Sequence, residues 1–145
     1  MSWKETYRSR QATAEEAVAH IKSGDRVIVG HACGEPSYLL DVMVQHAEDY
    51  RDVEIVHMVA MGKCEYCKPA YAKNFRHNAI FAGGNSRDAI FEGRGDFTPV
   101  FFYRVPELFD TTLQLDAALV MVTPPDENGM CSLGISVDYT LAAIK

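Results

Sequence analysis

TAEEAVAHIKSGDRVIVGHACGEPSYLLDVMVQHAE, residues 13–48, is the stretch that decides the fold. Thr13-Ala14-Glu15-Glu16 has the spacing of a capping box, in which the Thr13 hydroxyl and the Glu16 carboxylate each satisfy a backbone N–H left unpaired where a helix starts. Ala17, Val18 and Ile21 give that helix an apolar stripe, and Gly24 supplies the left-handed residue that commonly ends one. Residues 26–30 follow as a strand, because Val27-Ile28-Val29 is short and β-branched. His31-Ala32-Cys33-Gly34-Glu35-Pro36 is then a loop, and Pro36 suits the first turn of a helix over 37–48. Leu39, Leu40, Met43, Val44 and Ala47 share one face of that helix.

The same alternation runs outward from this unit. A second strand is expected over 53–58, then a loop around Ala60-Met61-Gly62-Lys63 and a short helix over 69–73. A third strand over 78–82 runs into Gly83-Gly84-Asn85-Ser86-Arg87, where Asn85 or Ser86 can cap a helix through Glu92. Gly93-Arg94-Gly95-Asp96 breaks the chain before a strand over 97–102, whose Pro99 points to an edge position or an irregular strand. A helical turn is expected over 106–109. Residues 117–122 form an uninterrupted apolar run of the kind found in a central strand covered on both faces. Pro124-Pro125-Asp126-Glu127-Asn128-Gly129 is a turn, 130–136 another strand, and a helix begins at Asp138. Alternation of this length predicts an α/β fold with an open, mostly parallel sheet, helices on both faces and Rossmann-like layering. No repeat or linker interrupts it, so residues 1–145 are read as one domain.

A chain of 145 residues with 48% hydrophobic and 23% charged residues can bury its own core. No segment reaches the roughly 18 consecutive apolar residues of a membrane span. Met1-Ser2-Trp3-Lys4-Glu5 lacks the layout of a signal or transit peptide, so a cytoplasmic protein is expected, with no membrane partner. A net charge of −6 with scattered Lys and Arg speaks against nucleic acid. Cys33, Cys64, Cys67 and Cys131 are expected as free thiols. Cys64-Glu65-Tyr66-Cys67 has the C-x-x-C spacing of a zinc or redox pair. However, Cys33 and Cys131 stand alone and the motif opens no clear helix, so no metal site is assigned.

In open parallel sheets ligands bind beyond the carboxyl ends of the strands, where loops meet helix N-termini. The loops over 31–36, 59–66 and 83–87 meet that description, with the 124–129 turn as a fourth. Together they can line one crevice for a carboxylate or phosphate. Each also has a plainer reading. Gly34, Gly62, Gly83 and Gly84 suit turns at positive φ; Glu35 suits the start of a helix; Arg87 and Arg94 suit solvent or an anion. His31, directly after a strand, is either a structural hydrogen-bonder or a site residue.

Taken in order, several pieces resemble the acetyl-CoA hydrolase/transferase family, and within it the 4-hydroxybutyrate CoA-transferases. They are Ser23-Gly24-Asp25-Arg26-Val27, His31-Ala32-Cys33-Gly34-Glu35-Pro36, Val56-His57-Met58-Val59-Ala60-Met61-Gly62-Lys63, Glu65-Tyr66, Gly93-Arg94-Gly95-Asp96-Phe97-Thr98-Pro99-Val100-Phe101-Phe102, Val105-Pro106, Pro124-Pro125-Asp126 with Gly129, and Val137-Asp138-Tyr139-Thr140. The resemblance implies two related α/β domains and transfer of CoA from an acyl-CoA such as acetyl-CoA to a short carboxylate such as 4-hydroxybutyrate or butyrate. Transfer would pass through a glutamyl-CoA thioester, with the CoA thioester as substrate and no permanently bound cofactor. The nucleophilic glutamate would lie in a second, C-terminal domain outside this chain, so no catalytic residue is assigned here, and Glu35, Glu54, Glu65, Glu92 and Glu107 do not inherit the role. What carries over is one wall of the substrate pocket: His31, Gly34, Glu35, Pro36, Met61, Gly62, Glu65, Tyr66, Ser86 and Arg87. A homo-oligomer is the expected assembly. Cys64 stands where the resemblance leads one to expect glycine. Hydrolysis of acetyl-CoA, and a non-catalytic module binding a small acid or nucleotide, remain the alternatives.

Overall fold

The computed structural model describes residues 2–145. Two short helices, α1 (Trp3–Ser9) and α2 (Ala14–Val18), precede strand β1 (Arg26–Val29). Then follow α3 (Ser37–Gln45), β2 (Val53–His57), β3 (Phe75–Ala79), α4 (Arg87–Phe91), β4 (Gly95–Phe97), α5 (Val105–Thr111), β5 (Ala117–Leu119) and α6 (Thr140–Ala143). The five strands form one sheet in the order β4-β3-β2-β1-β5, every pair parallel. This is the open α/β architecture that the alternation of elements predicts.

Alternating residues of each strand feed two cores. Val27 and Val29 of β1 join Val53 and Ile55 of β2 and Phe75 of β3 on one face, covered by Val18 of α2 and by Leu40 and Met43 of α3. Ile28 and Val56 point to the other face, against Val105 and Phe109 of α5 and against Tyr139. Val27, Ile28, Val29, Val53, Ile55 and Val56 are all 0% exposed. Each contributes about 1.5–3 kcal/mol through removal of its side chain from water.

The boundaries differ from the sequence expectations in informative ways. The capping box at Thr13 is present, with Glu16 N–H donating to the Thr13 hydroxyl at 3.2 Å. Yet α2 closes at Ala19, ahead of Gly24, which has its φ of +85° in the turn before β1. Helix α3 also stops short of Glu48 and passes into a 3-10 turn, Ala47–Asp49. Strand β3 starts three residues before its expected position. Its letters Arg76-His77-Asn78 look unlike a strand, but each polar group finds a partner or a packed place across the sheet. Arg76 pairs with Asp96, Asn78 Nδ2 donates to Glu54 Oε1 at 2.7 Å, and His77 packs against the Tyr66 ring.

The apolar run over 117–122 is an edge strand, a correction to the central position expected for it. Only residues 117–119 pair, and only with β1. Met121 and Val122 run on half exposed. Residues 130–136 form no strand: the chain folds back at 126–130, where Asp126 Oδ1 accepts from Asn128 N–H at 2.8 Å and from Met130 N–H at 2.9 Å, and Ser132 pairs back with Thr123. Strand β4 is an edge strand that ends at Phe97; the strand expected over 97–102 does not form, since Pro99 has no N–H to donate, and residues 102–104 form a 3-10 turn.

Large apolar side chains remain open to solvent, among them Phe97, Phe101, Phe102, Tyr103, Ile135 and Val137. Surface of this kind drives association. The chain by itself is therefore expected to bind a hydrophobic dye and to self-associate, as read by sedimentation velocity over a concentration series. A dye-silent monomer at high concentration would contradict this. Among the described residues, no helix is long and apolar enough to cross a membrane.

Candidate functional site

All five strands point the same way, so the loops after β1, β2, β3 and β5 emerge at one edge of the sheet. Helices α3 and α4, which connect β1 through β4, pack on one face, whereas α5, between β4 and β5, packs on the other. The winding therefore reverses between β1 and β5. In doubly wound sheets such a reversal opens a crevice beyond the strand ends.

His31, two residues past the end of β1, lies at that end of the sheet, packed against the segment that contains Asp138 and Tyr139. Its Nε2 lies 2.5 Å from Asp138 Oδ2, and its ring lies 5.0 Å from Tyr139 and 6.3 Å from Phe102, centroid to centroid. The histidine is 8% exposed, and its Nδ1 is buried with no partner among the described residues. The segment that supplies Asp138 is itself fixed to β1. Tyr139 OH donates to the Val29 carbonyl at 2.7 Å, and Ser136 Oγ donates to the His31 carbonyl at 3.0 Å. An imidazole held by a carboxylate at one nitrogen presents the other as a hydrogen-bonding group of fixed orientation.

Glu35 ties the next loop to this one. Its Oε2 accepts the N–H of Met61 and of Gly62, each at 2.9 Å, while Ser37 Oγ donates to Oε1 at 3.0 Å. The carboxylate side chain is only 5% exposed and lies 3.7 Å from His57 Nε2. Gly62 is required here by close approach, since a Cβ at that position would come within 2.0 Å of Glu35 Oε1. Gly34 is required for the same kind of reason, with Ser136 Oγ at 2.5 Å from its would-be Cβ. Neither residue has the positive φ that a turn reading implies, and Gly83 and Gly84 also lack it.

Further bonds knit the loops together. Ala32 N–H donates to the Val59 carbonyl at 2.9 Å, and Asn85 Nδ2 donates to the Gly62 carbonyl at 3.0 Å. Ala32 and Cys64 both lie in the left-handed region, at φ 51° and 49°. Such strain costs roughly 1–3 kcal/mol per residue and clusters where backbone is held for a purpose.

These contacts bring His31, Gly34, Glu35, Pro36, Met61 and Gly62 into one assembly, with Ser86 and Arg87 joined to it through Asn85. The residues lie at two depths. Met61 and Arg87 are exposed, and Gly62 and Glu65 are half-buried. Gly34, Pro36, Tyr66 and Ser86 are buried. Tyr66 OH is hydrogen-bonded to His57 Nδ1 at 3.0 Å, and Glu65 pairs with Lys68 at 2.6 Å. Burial lowers the pKa of His57 to about 3, reinforced by the nearby His77 and His31, and lowers that of His77 to about 4.

Five residues of this region escape a reading of the chain for site residues: His57, His77, Ser136, Asp138 and Tyr139. His57 ends a strand whose apolar letters are the dominant signal. Asp138 lies 107 positions from His31, a separation that local pattern cannot bridge.

Residues 1–145 match the family described as the acetyl-CoA hydrolase/transferase N-terminal domain. The chain is 50% identical to the 4-hydroxybutyrate coenzyme A transferase of Clostridium kluyveri, over 100% of this chain and 34% of that protein. It is 37% identical to the succinyl-CoA:acetate/propanoyl-CoA:succinate CoA transferase of Fasciola hepatica, over 92% of this chain and 28% of that one. It thus spans about a third of the length of the curated relatives it matches. The crystal structure of a 4-hydroxybutyrate CoA-transferase from Porphyromonas gingivalis superposes with a TM-score of 0.75 at 32% identity, covering 98% of this chain and 32% of that one. RipA from Yersinia pestis shares the fold, with a TM-score of 0.88 at 24% identity over 97% of this chain and 35% of its own. Sequence, strand order and the reversal at β1 and β5 agree: the chain belongs to the acetyl-CoA hydrolase/transferase N-terminal domain family.

Proposed function

We propose that this chain forms one wall of the acyl pocket of a CoA-transferase that moves CoA from acetyl-CoA to a short carboxylate such as 4-hydroxybutyrate or butyrate. The observation that carries this reading is the gathering of the loops after β1 and β2 at one edge of the sheet, where Glu35, Gly62, Glu65 and Tyr66 line a cleft of about 210 Å³. Its place fits a substrate carboxylate, and the relatives that align with the whole chain carry CoA-transferase names. In this reading the exposed Met61 and Arg87 meet the substrate, and His31, held by Asp138 and buried, fixes the loop behind them. Gly34, Glu35, Pro36, Gly62, Tyr66 and Ser86 form the layer beneath that fixes them, with Glu65 at its rim.

The nucleophile comes from polypeptide beyond this chain. A glutamate carboxylate attacks the acyl thioester, giving an anhydride and CoA thiolate; the thiolate then opens the anhydride at the glutamyl carbonyl and releases the first carboxylate. The acceptor carboxylate repeats the sequence in reverse. The engagement of the glutamates considered as nucleophiles supports this division. Glu35 holds Met61 and Gly62, Glu54 accepts from Arg26 at 2.6 Å, Glu92 pairs with Arg94 at 2.5 Å and Glu107 with Arg104 at 2.9 Å.

The test is acetate release from acetyl-CoA by a full-length protein carrying this domain, with and without 4-hydroxybutyrate. Acceptor-dependent release is expected, and the isolated chain is expected to show no turnover. His31→Ala and Asp138→Asn should each lower kcat/KM for the acceptor by about 10-fold, through loss of the contact that fixes the 31–36 loop. Release independent of any acceptor would mean hydrolysis, and saturable turnover by the isolated chain would refute the assignment of the nucleophile.

A further inference from the structure

Cys64-Glu65-Tyr66-Cys67 lies directly after the loop that Glu35 clamps, and the fold buries both of its sulfur-bearing residues. Cys64 is 5% exposed and Cys67 9%, and both thiols are free. Residues Glu65–Cys67 form a 3-10 turn capped by Cys64, and the Cys67 N–H donates to the Cys64 carbonyl at 2.9 Å. That bond closes a four-residue turn, which keeps the two Cα atoms within about 7 Å of each other, and both cysteines line the same cleft, so their separation falls in the range a disulfide spans. The Arg94 guanidinium donates to the Cys67 carbonyl and holds the end of the turn in place.

Access is through a cleft of about 240 Å³, whose lining includes Lys63, Cys64, Cys67, Asn85, Glu92 and Arg94. Both sulfurs sit below its surface. It admits an oxidant of two heavy atoms and obstructs one the size of a tripeptide disulfide.

We propose that Cys64 and Cys67 are a reversible dithiol–disulfide site that reacts with hydrogen peroxide. The Cys64 thiolate attacks one peroxide oxygen; the O–O bond breaks, Cys64 becomes a sulfenic acid, and the departing hydroxide takes up a proton to leave as water. The Cys67 sulfur then attacks the Cys64 sulfur. The S–O bond breaks, a second water leaves with the Cys67 proton, and the S–S bond closes. Two thiols and one peroxide give one disulfide and two waters. The order follows from the unequal settings of the two thiols: the neighbouring Cys67 side chain holds the pKa of Cys64 below that of a free thiol, whereas Cys64 and burial raise that of Cys67, so Cys64 supplies the thiolate. Closure fixes the turn that carries Tyr66, and with it the bond from Tyr66 to His57.

The chain is exposed to peroxide, quenched, alkylated under denaturing conditions and mapped by mass spectrometry. The peptide holding Cys64 and Cys67 is expected to escape alkylation at both positions, to be lighter by two hydrogens, and to regain both thiols with dithiothreitol. Glutathione disulfide should oxidise the exposed Cys33 and Cys131 at least ten times faster than the buried pair. After peroxide, dimedone should label Cys64 in Cys67→Ser, and should label Cys67 in Cys64→Ser at least ten times more slowly, with near-UV circular dichroism confirming that each variant is folded. The wild-type mass measurement stands whether or not a variant folds. Both cysteines still alkylated once Cys33 and Cys131 are oxidised, or oxidised to sulfinic acid with no S–S bond, would overturn the proposal. Equal labelling of the two variants would overturn the assignment of Cys64 as the attacking sulfur.

Discussion

Glu35→Ala is expected to lower the stability of the domain by about 2–3 kcal/mol, and with it the melting temperature by about 10 °C. The carboxylate accepts two backbone N–H groups and one hydroxyl while only 5% exposed. Alanine leaves the half-buried Gly62 N–H without an acceptor and opens a void beside His57. Water reaching the exposed Met61 recovers part of the loss, which is why the cost is set below that of two fully orphaned donors. Glu35→Gln keeps an acceptor oxygen and should lose about half as much. Gly62→Ala attacks the same contact from the other side, since its new Cβ would displace the carboxylate. Melting of all three variants by circular dichroism measures the effect. A Glu35→Ala protein that melts within about 1 °C of the parent would show that the clamp contributes nothing.

The second large effect is on acid stability. In the unfolded chain a histidine takes up its proton near pH 6.5. Folded, His57 does so only at about 3 and His77 at about 4, because burial penalises the charged ring. Between those values and 6.5 the unfolded state binds more protons than the folded state, so stability rises with pH across that window. The contribution is fully present above about pH 7 and drains away as pH falls from 6.5 toward 4 and 3. Both rings are buried, at 0% and 2% exposure, so solvent screens little of this. The two together are worth on the order of 5 kcal/mol or more, comparable with the whole stability of a small domain. The domain is therefore expected to unfold cooperatively on acidification before either ring titrates in place.

Urea unfolding from pH 8 to pH 4.5 measures the effect. The free energy should fall with a limiting slope approaching two protons, about 2.7 kcal/mol per pH unit. His77→Leu should halve it. The carboxyl of Asp96, held below its usual range by Arg76, responds only at lower pH and does not mask the window. A urea midpoint unchanged between pH 6.5 and pH 4.5 would refute the prediction.

How much was legible in the chain depends on which forces act locally. The capping box at Thr13 and the strand at Val27-Ile28-Val29 are set by bonds and sterics within a few residues, and both appear as expected. The loops over 31–36, 59–66 and 83–87 were identifiable because they follow strands. Strand β3 was misplaced because Arg76, His77 and Asn78 read as polar until their partners on β2, β4 and the Tyr66 turn are known. The run over 117–122 reads as central, because hydrophobicity reports that a segment seeks burial, not whether a second strand lies beside it.

Near-neighbour patterns in the chain are enough for the alternation of helices and strands, the parallel α/β class, the family resemblance and the positions of the loops that follow the strands. Only the tertiary structure decided that the winding reverses between β1 and β5, that Asp138 meets His31 across 107 positions, and that Glu35 braces Gly62. The first set follows from periodicity and capping, which act between near neighbours along the chain. The second depends on strand pairing and crossover geometry, which bring distant residues together only once the sheet has formed.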